Sequence, residues 1–185
     1  MRSRMIKKIL VAVVLFVSAC KHKDPEERLK DFVEDPDNKI TQKITIGDVG
    51  IVTKFLPASY RLLMNNKKDS AGENGQNFYY FDVKFNKKMG EKPAKEKLLY
   101  LNFDMQNDFV LLVNNRDSIM PAICQKIENG MADSYEYMIV FEKGKEEWKN
   151  FTLFYNDKIF SIGTVSFVYN EKDILNIPGL KREIK

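Results

Sequence analysis

A single histidine, two cysteines and many carboxylates set the range of chemistry open to this chain. With only His22 available, no second imidazole exists to complete a Ser-His or Cys-His relay. His22 also sits in a run of charged residues, Lys21 to Asp24, with nothing apolar beside it to hold a general base in place. Zinc would have to rest on carboxylates and one thiol, a donor set that zinc sites rarely use. The stretches Asn102 to Asp108 and Asp31 to Asp37 are rich in side-chain oxygens. Neither has the spaced loop, turn glycine and terminal glutamate of a calcium-binding hand. No glycine-rich phosphate loop follows an apolar run. Paired acids in a groove could serve a glycosidase, but no spacing selects a pair. The residues therefore point to a protein that is not an enzyme and that takes no metal and no cofactor.

The elements that must position these side chains read as strands. Tyr79, Phe81, Val83 and Phe85 alternate with Tyr80, Asp82, Lys84 and Asn86. The same period of two recurs in Leu99-Leu101-Phe103, Phe109-Leu111-Val113, Tyr135 to Phe141, Phe151-Leu153-Tyr155 and Val165-Phe167-Tyr169. Turn-formers such as Asn114-Asn115, Asn129-Gly130 and Asn156-Asp157 bound these runs. Weaker strands are expected over Ile40–Ile46, Gly50–Phe55, Tyr60–Met64 and Met120–Ile127, making about nine in all. No long amphipathic helix separates them, so the expected fold is all-β: two antiparallel sheets packed face to face. Only the tail from Glu171 suggests a helical turn. The chain is 44% apolar and 12% aromatic, enough for one well-filled core. Two polar loops stand out. Asn65 to Asn77 has no large apolar residue, and Lys87 to Lys97 carries five lysines and reads as a solvated loop.

The N-terminus carries an address. Arg2, Arg4, Lys7 and Lys8 precede an unbroken apolar run from Ile9 to Val17, too short to span a bilayer but suited to a signal peptide. The run ends in Val17-Ser18-Ala19-Cys20, which resembles the lipobox of bacterial lipoproteins. That resemblance implies cleavage before Cys20 and attachment of a diacylglycerol to its thiol, so that Cys20 anchors the chain to a membrane. The expected organisation is a signal peptide over residues 1–19, a lipidated cysteine with a charged tether over 20–38, and a β-sandwich over 39–185. The tether has only Leu29, Phe32 and Val33 as large apolar residues, too few to offset its ordering entropy, although Asp24-Pro25 could start a short helix over Glu26–Glu34. Without residues 1–19 the basic and acidic residues balance at 26 each, which removes the basic excess a nucleic-acid partner would need. Lys21 with Asp24, Glu26 and Glu27 partly resembles the export signal of surface lipoproteins in the Bacteroides group. His22 and Lys23 interrupt it, and the expected location is the outer membrane, facing the periplasm. With Cys20 acylated, Cys124 has no disulfide partner and reads as a buried thiol.

Several strands are apolar on both faces, which an ordinary half-exposed antiparallel strand is not. Either the chain's own Ile40–Met64 segment or its tail covers the second face, or that face meets a partner. Tyr80, Tyr100, Phe154 and Phe78 are the interface candidates on this ground, with Trp148 as a further anchor. Asp69-Ser70-Ala71 and Asp117-Ser118-Ile119 resemble the O-glycosylation sequon of exported Bacteroides-group proteins, making Ser70 and Ser118 candidate acceptors. The stretch from Leu99 to Tyr169 resembles the immunoglobulin-like domains of small bacterial lipoproteins. The residues that carry this are Phe109 to Val113, Met120-Pro121, Tyr135 to Phe141, Phe151 to Tyr155 with Asn156-Asp157, and Thr164 to Phe167. A small sandwich on a lipidated cysteine is also similar in architecture to the outer-membrane lipoproteins of type VI secretion assemblies. The expected function is a lipid-anchored, non-catalytic adaptor in a cell-envelope protein complex, which the type VI resemblance would place in a secretion system. The competing expectation is a surface or periplasmic binder of a glycan or hydrophobic ligand.

Overall fold

A computed structural model describes residues 23–64, 77–87, 94–128, 130, 134–144 and 150–179. Cys20, Ser70 and Trp148 lie outside these residues. The elements in order are α1 (Pro25–Glu34), β1 (Thr41–Ile46), β2 (Val49–Leu56), α2 (Ala58–Met64), β3 (Phe78–Asn86) and α3 (Lys95–Phe103). A 3₁₀ turn (Met105–Asp108) leads into β4 (Phe109–Val113), β5 (Asp117–Ile119), β6 (Ile123–Ile127), β7 (Ser134–Glu142), β8 (Asn150–Asn156), β9 (Thr164–Asn170) and α4 (Glu171–Leu175). The strands form two antiparallel sheets, β1-β2-β3-β7-β6 and β5-β4-β8-β9. Leaving aside β1, this is the immunoglobulin order: β2, β3, β7 and β6 stand as A, B, E and D, opposite β5, β4, β8 and β9 as C′, C, F and G. The fold is an all-β sandwich.

Alternation decides which side chains meet between the sheets. Tyr79, Phe81, Val83 and Phe85 of β3 and Phe151, Leu153 and Tyr155 of β8 are all buried. Phe81 meets Phe151 edge-on at 5.8 Å, and Phe85 meets Tyr155 at 4.8 Å. A hydrogen bond of 2.6 Å between the Thr53 and Tyr169 hydroxyls satisfies two buried polar groups across the core. Turn chemistry sets the register. β1 and β2 are joined by Gly47-Asp48, with Gly47 at φ 60°, and Asn114 and Asn115 take φ 52° and 57° between β4 and β5.

Three expectations are corrected. Residues 99–103 are helical, not a strand: Lys95 to Phe103 contains no β-branched residue, and its Lys, Glu and Leu residues favour a helix. Tyr60 to Met64 is likewise part of a helix, started by Pro57, whose carbonyl accepts from the Arg61 N–H at 3.2 Å. The stretch 25–34 is not a free tether. Asp24 caps α1, and Leu29 and Val33 on its inner face are buried in the main core. Two well-placed apolar residues, one turn apart, dock a helix that composition alone leaves disordered.

Candidate functional site

The connections β3–β4, β6–β7 and β8–β9 leave the sandwich at one end, because antiparallel neighbours alternate in direction. Contacts between elements confirm it. Phe160, in the β8–β9 loop, stacks on Phe85 near the end of β3 at 5.1 Å and lies 6.1 Å from Tyr135 at the start of β7. Lys87 reaches Asp48 of the β1–β2 turn at 3.6 Å. The opposite end carries α2, the start of β1 and α4.

The described loops of the first end are held by their own acids. Asp157 accepts N–H bonds from Ile159, Phe160 and Ile162 at 2.8–2.9 Å and the Tyr155 hydroxyl at 2.8 Å. Burial alone would raise its carboxyl, but these donors together hold it below the ordinary carboxylate range. The loop thus presents Lys158 in a fixed direction. Its ammonium lies 3.1 Å from Oδ1 of Asp108, and the Tyr100 hydroxyl donates to the same oxygen at 2.6 Å. Asp108 is fully buried, and its second oxygen, Oδ2, is enclosed without a hydrogen-bond partner. Hydrogen bonding to Asp108 raises the Lys158 pKa, and burial raises that of Tyr100. Lys158 also stands 5.9 Å over the Tyr100 ring. Across α3, Lys126 reaches Asn102 at 2.9 Å and Glu128 at 3.1 Å.

The helix that carries Tyr100 also exposes two apolar side chains. Leu99 and Phe103, one turn apart on α3, are 47% and 72% exposed. Burial, and secondarily the charge of Asp108, pushes the Cys124 thiol up to about 12, so it carries almost no thiolate at neutral pH. Among the described residues no group of three His, Cys, Asp or Glu side chains could hold a metal ion.

The sequence-predicted residues do not form one patch. Tyr80 and Phe78 share the outer face of the five-stranded sheet, with ring centroids 6.3 Å apart. The Arg61 guanidinium of α2 lies 4.4 Å above Tyr80, so the chain's own 40–64 segment covers this ring in part. Phe154, half-buried, is on the outer face of the other sheet. Tyr100 belongs to the loop end, on a helix rather than a strand. Ser118 is exposed on the short edge strand β5. Sequence reasoning missed Asp108, Lys158, Leu99 and Phe103 as a group. Asp108 carried one signal, a lone acid directly before the apolar run Phe109 to Val113.

No family model and no curated protein matches this chain. Among solved structures, a DUF4426 family protein from Pseudomonas aeruginosa PAO1 is similar with a TM-score of 0.38 and 11% identity, over 71% of this chain and 92% of its own. Nothing is carried over from it.

Proposed function

We propose that this chain is a lipid-anchored, non-catalytic adaptor of a cell-envelope complex, tied by Cys20 to the outer membrane on its periplasmic side and recognising a protein partner with its loop end. The observation that supports it is the exposed pair Leu99 and Phe103 on the helix whose Tyr100 joins Asp108 and Lys158. Exposed apolar side chains on an element that also carries a fixed charge pair have the composition of an interface anchor, since the apolar groups gain from leaving water while the charge sets orientation. The signal-peptide and lipobox order of residues 1–20 supports the anchor.

The test is recovery of partners from native cells in mild detergent, comparing the wild type with a variant carrying Leu99→Ser and Phe103→Ser. Loss of a specific partner with unchanged thermal stability is the expected result. Equal recovery from both forms refutes the assignment of the loop end.

A further inference from the structure

We infer that the free edge of β9 takes up one extended segment of a partner protein, antiparallel to β9 and roofed by the core face of β1. The segment carries apolar residues at alternate positions and acidic residues at its N-terminal end, toward Lys39, Lys43 and Lys172. The two sheets are unequal, five strands against four. β2 stands opposite β9: the Thr53 and Tyr169 hydroxyls bond at 2.6 Å, and the rings of Phe55 and Tyr169 are 6.3 Å apart. β1 is one strand further out, so among the described residues no strand faces it. Gln42, Ile44 and Ile46 pair with the buried Thr53, Ile51 and Val49 and therefore share the core face of their sheet. Ile44 is nevertheless 36% exposed. A strand added beside β9 at the usual spacing of about 4.8 Å would lie under it.

The main chain of β9 is open on that side. The Asp157 N–H bonds the Gly163 carbonyl where β8 turns into β9, so Val165, Phe167 and Tyr169 direct their backbone groups to β8, and Ser166 and Val168 direct theirs outward. The Val168 carbonyl accepts from the Gln42 side-chain amide at 2.6 Å, where a neighbouring strand would place an N–H. The Ser166 N–H and carbonyl and the Val168 N–H have no hydrogen-bond partner among the described residues. Edge strands are ordinarily shielded by charge, proline or shortness. β1 and β6 carry Lys43 and Lys126, and β5 has three residues. β9 runs seven residues, Thr164 to Asn170, without charge or proline. A second copy cannot fill the place with its own β9, because the β2 lying over that strand would meet β1. A single extended segment fits, its main chain pairing with β9 and an apolar side chain covering Ile44. Charge selects its end. At the helical end the groove between β1 and β9, about 490 Å³, is lined by Lys39, Lys43 and Lys172 against Asp37 and Asp173. None of these three lysines forms an ion pair among the described residues, so acidic side chains are drawn there.

The experiment uses the full chain in detergent with a probe strand, Glu-Glu-Val-Thr-Val-Thr-Val, fused after Lys185. A linker of about 12 Gly and Ser residues holds the probe at roughly millimolar effective concentration. Hydrogen exchange read by NMR at the Ser166 and Val168 amides is expected to slow about tenfold or more in the fusion relative to the unfused chain. Proline in place of both probe threonines, whose N–H groups face β9 when the valines face Ile44, is expected to abolish the effect. Adding Lys39→Glu, Lys43→Glu and Lys172→Glu is expected to lower the protection about twofold or more, measured against the unfused triple variant so that any change in folding cancels. Unchanged exchange in the fusion overturns the strand site. Slow exchange at both amides in the unfused chain overturns it as well, since the chain itself then holds the edge. Protection that persists with the proline probe overturns the main-chain pairing, and protection that ignores the charge reversals overturns the acidic end.

Discussion

Replacing Asp82 by Asn should stabilise the protein at neutral pH and remove a large part of its pH dependence. Asp82 lies in β3 on the outer face of the five-stranded sheet, flanked by Lys54 in β2 and Met138 in β7. One of its oxygens is buried without a hydrogen-bond partner. Burial, reinforced by the charge of Glu136, raises its carboxyl to about 6, and Lys54 and Lys84 only partly oppose this. A folded-state value above the unfolded one means that the associated stability is fully present below about pH 4 and lost as pH rises through about 6. A shift of about two units corresponds to about 3 kcal/mol when ionisation is complete. Between pH 4 and pH 7.5 the stability of the Asp82→Asn variant relative to wild type should therefore rise by about 2 kcal/mol. Urea unfolding of both forms at four pH values measures this, and taking the difference cancels the other carboxylates. A difference that stays constant within about 0.5 kcal/mol across that range would refute the burial assigned to Asp82.

Asp157 should behave in the opposite sense. Its stabilisation is present above about pH 4 and lost as pH falls through its lowered folded value, and Asp157→Ala, which strands three backbone donors, should cost about 2–4 kcal/mol in urea unfolding at pH 7. Phe151→Ala empties the centre of an aromatic cluster with Phe55, Tyr79, Phe81 and Tyr169 and should cost about 3–5 kcal/mol by the same assay. Cys20→Ser should leave full-length precursor in whole-cell immunoblots, and normal-sized, membrane-extractable protein from that variant would sink the lipobox reading.

Strand positions were legible wherever aromatic and β-branched residues alternated between asparagine and glycine turns, as in β3, β7, β8 and β9. The pattern failed where leucines cluster. Leu98, Leu99, Tyr100 and Leu101 fit a period of two and of 3.6 equally well, and only Leu101 is fully buried, so periodicity could not decide and propensity did. Leu29 and Val33 were invisible for a different reason. Their contribution depends on a dock supplied by the distant core, which no local window contains. The candidate site was hidden for the same cause, since Asp108 and Lys158 are fifty residues apart in sequence and meet only because β4 and β8 pair in register. The apolar outer positions were seen correctly as unusual. Their grouping into one patch failed because β3 and β8 belong to opposite sheets, so residues of equal parity point to opposite sides of the molecule.

The strand order keeps the two ends of the sandwich apart. In antibody domains a disulfide ties strand B to strand F; here β3 and β8 take those places and the Phe81–Phe151 contact spans the same gap without a covalent bond. That rigid aromatic layer lies between the two ends, so changes at one should not be felt at the other. Leu99→Ser with Phe103→Ser acts at the loop end, and the Lys39, Lys43 and Lys172 charge reversals act at the helical end. Sites more than about 10 Å apart without shared partners add within about 0.5 kcal/mol. The combined five-site variant should therefore show the sum of the two sets' stability changes and lose partner recovery as the first set does. A coupling well above that margin would show that the core transmits between the ends.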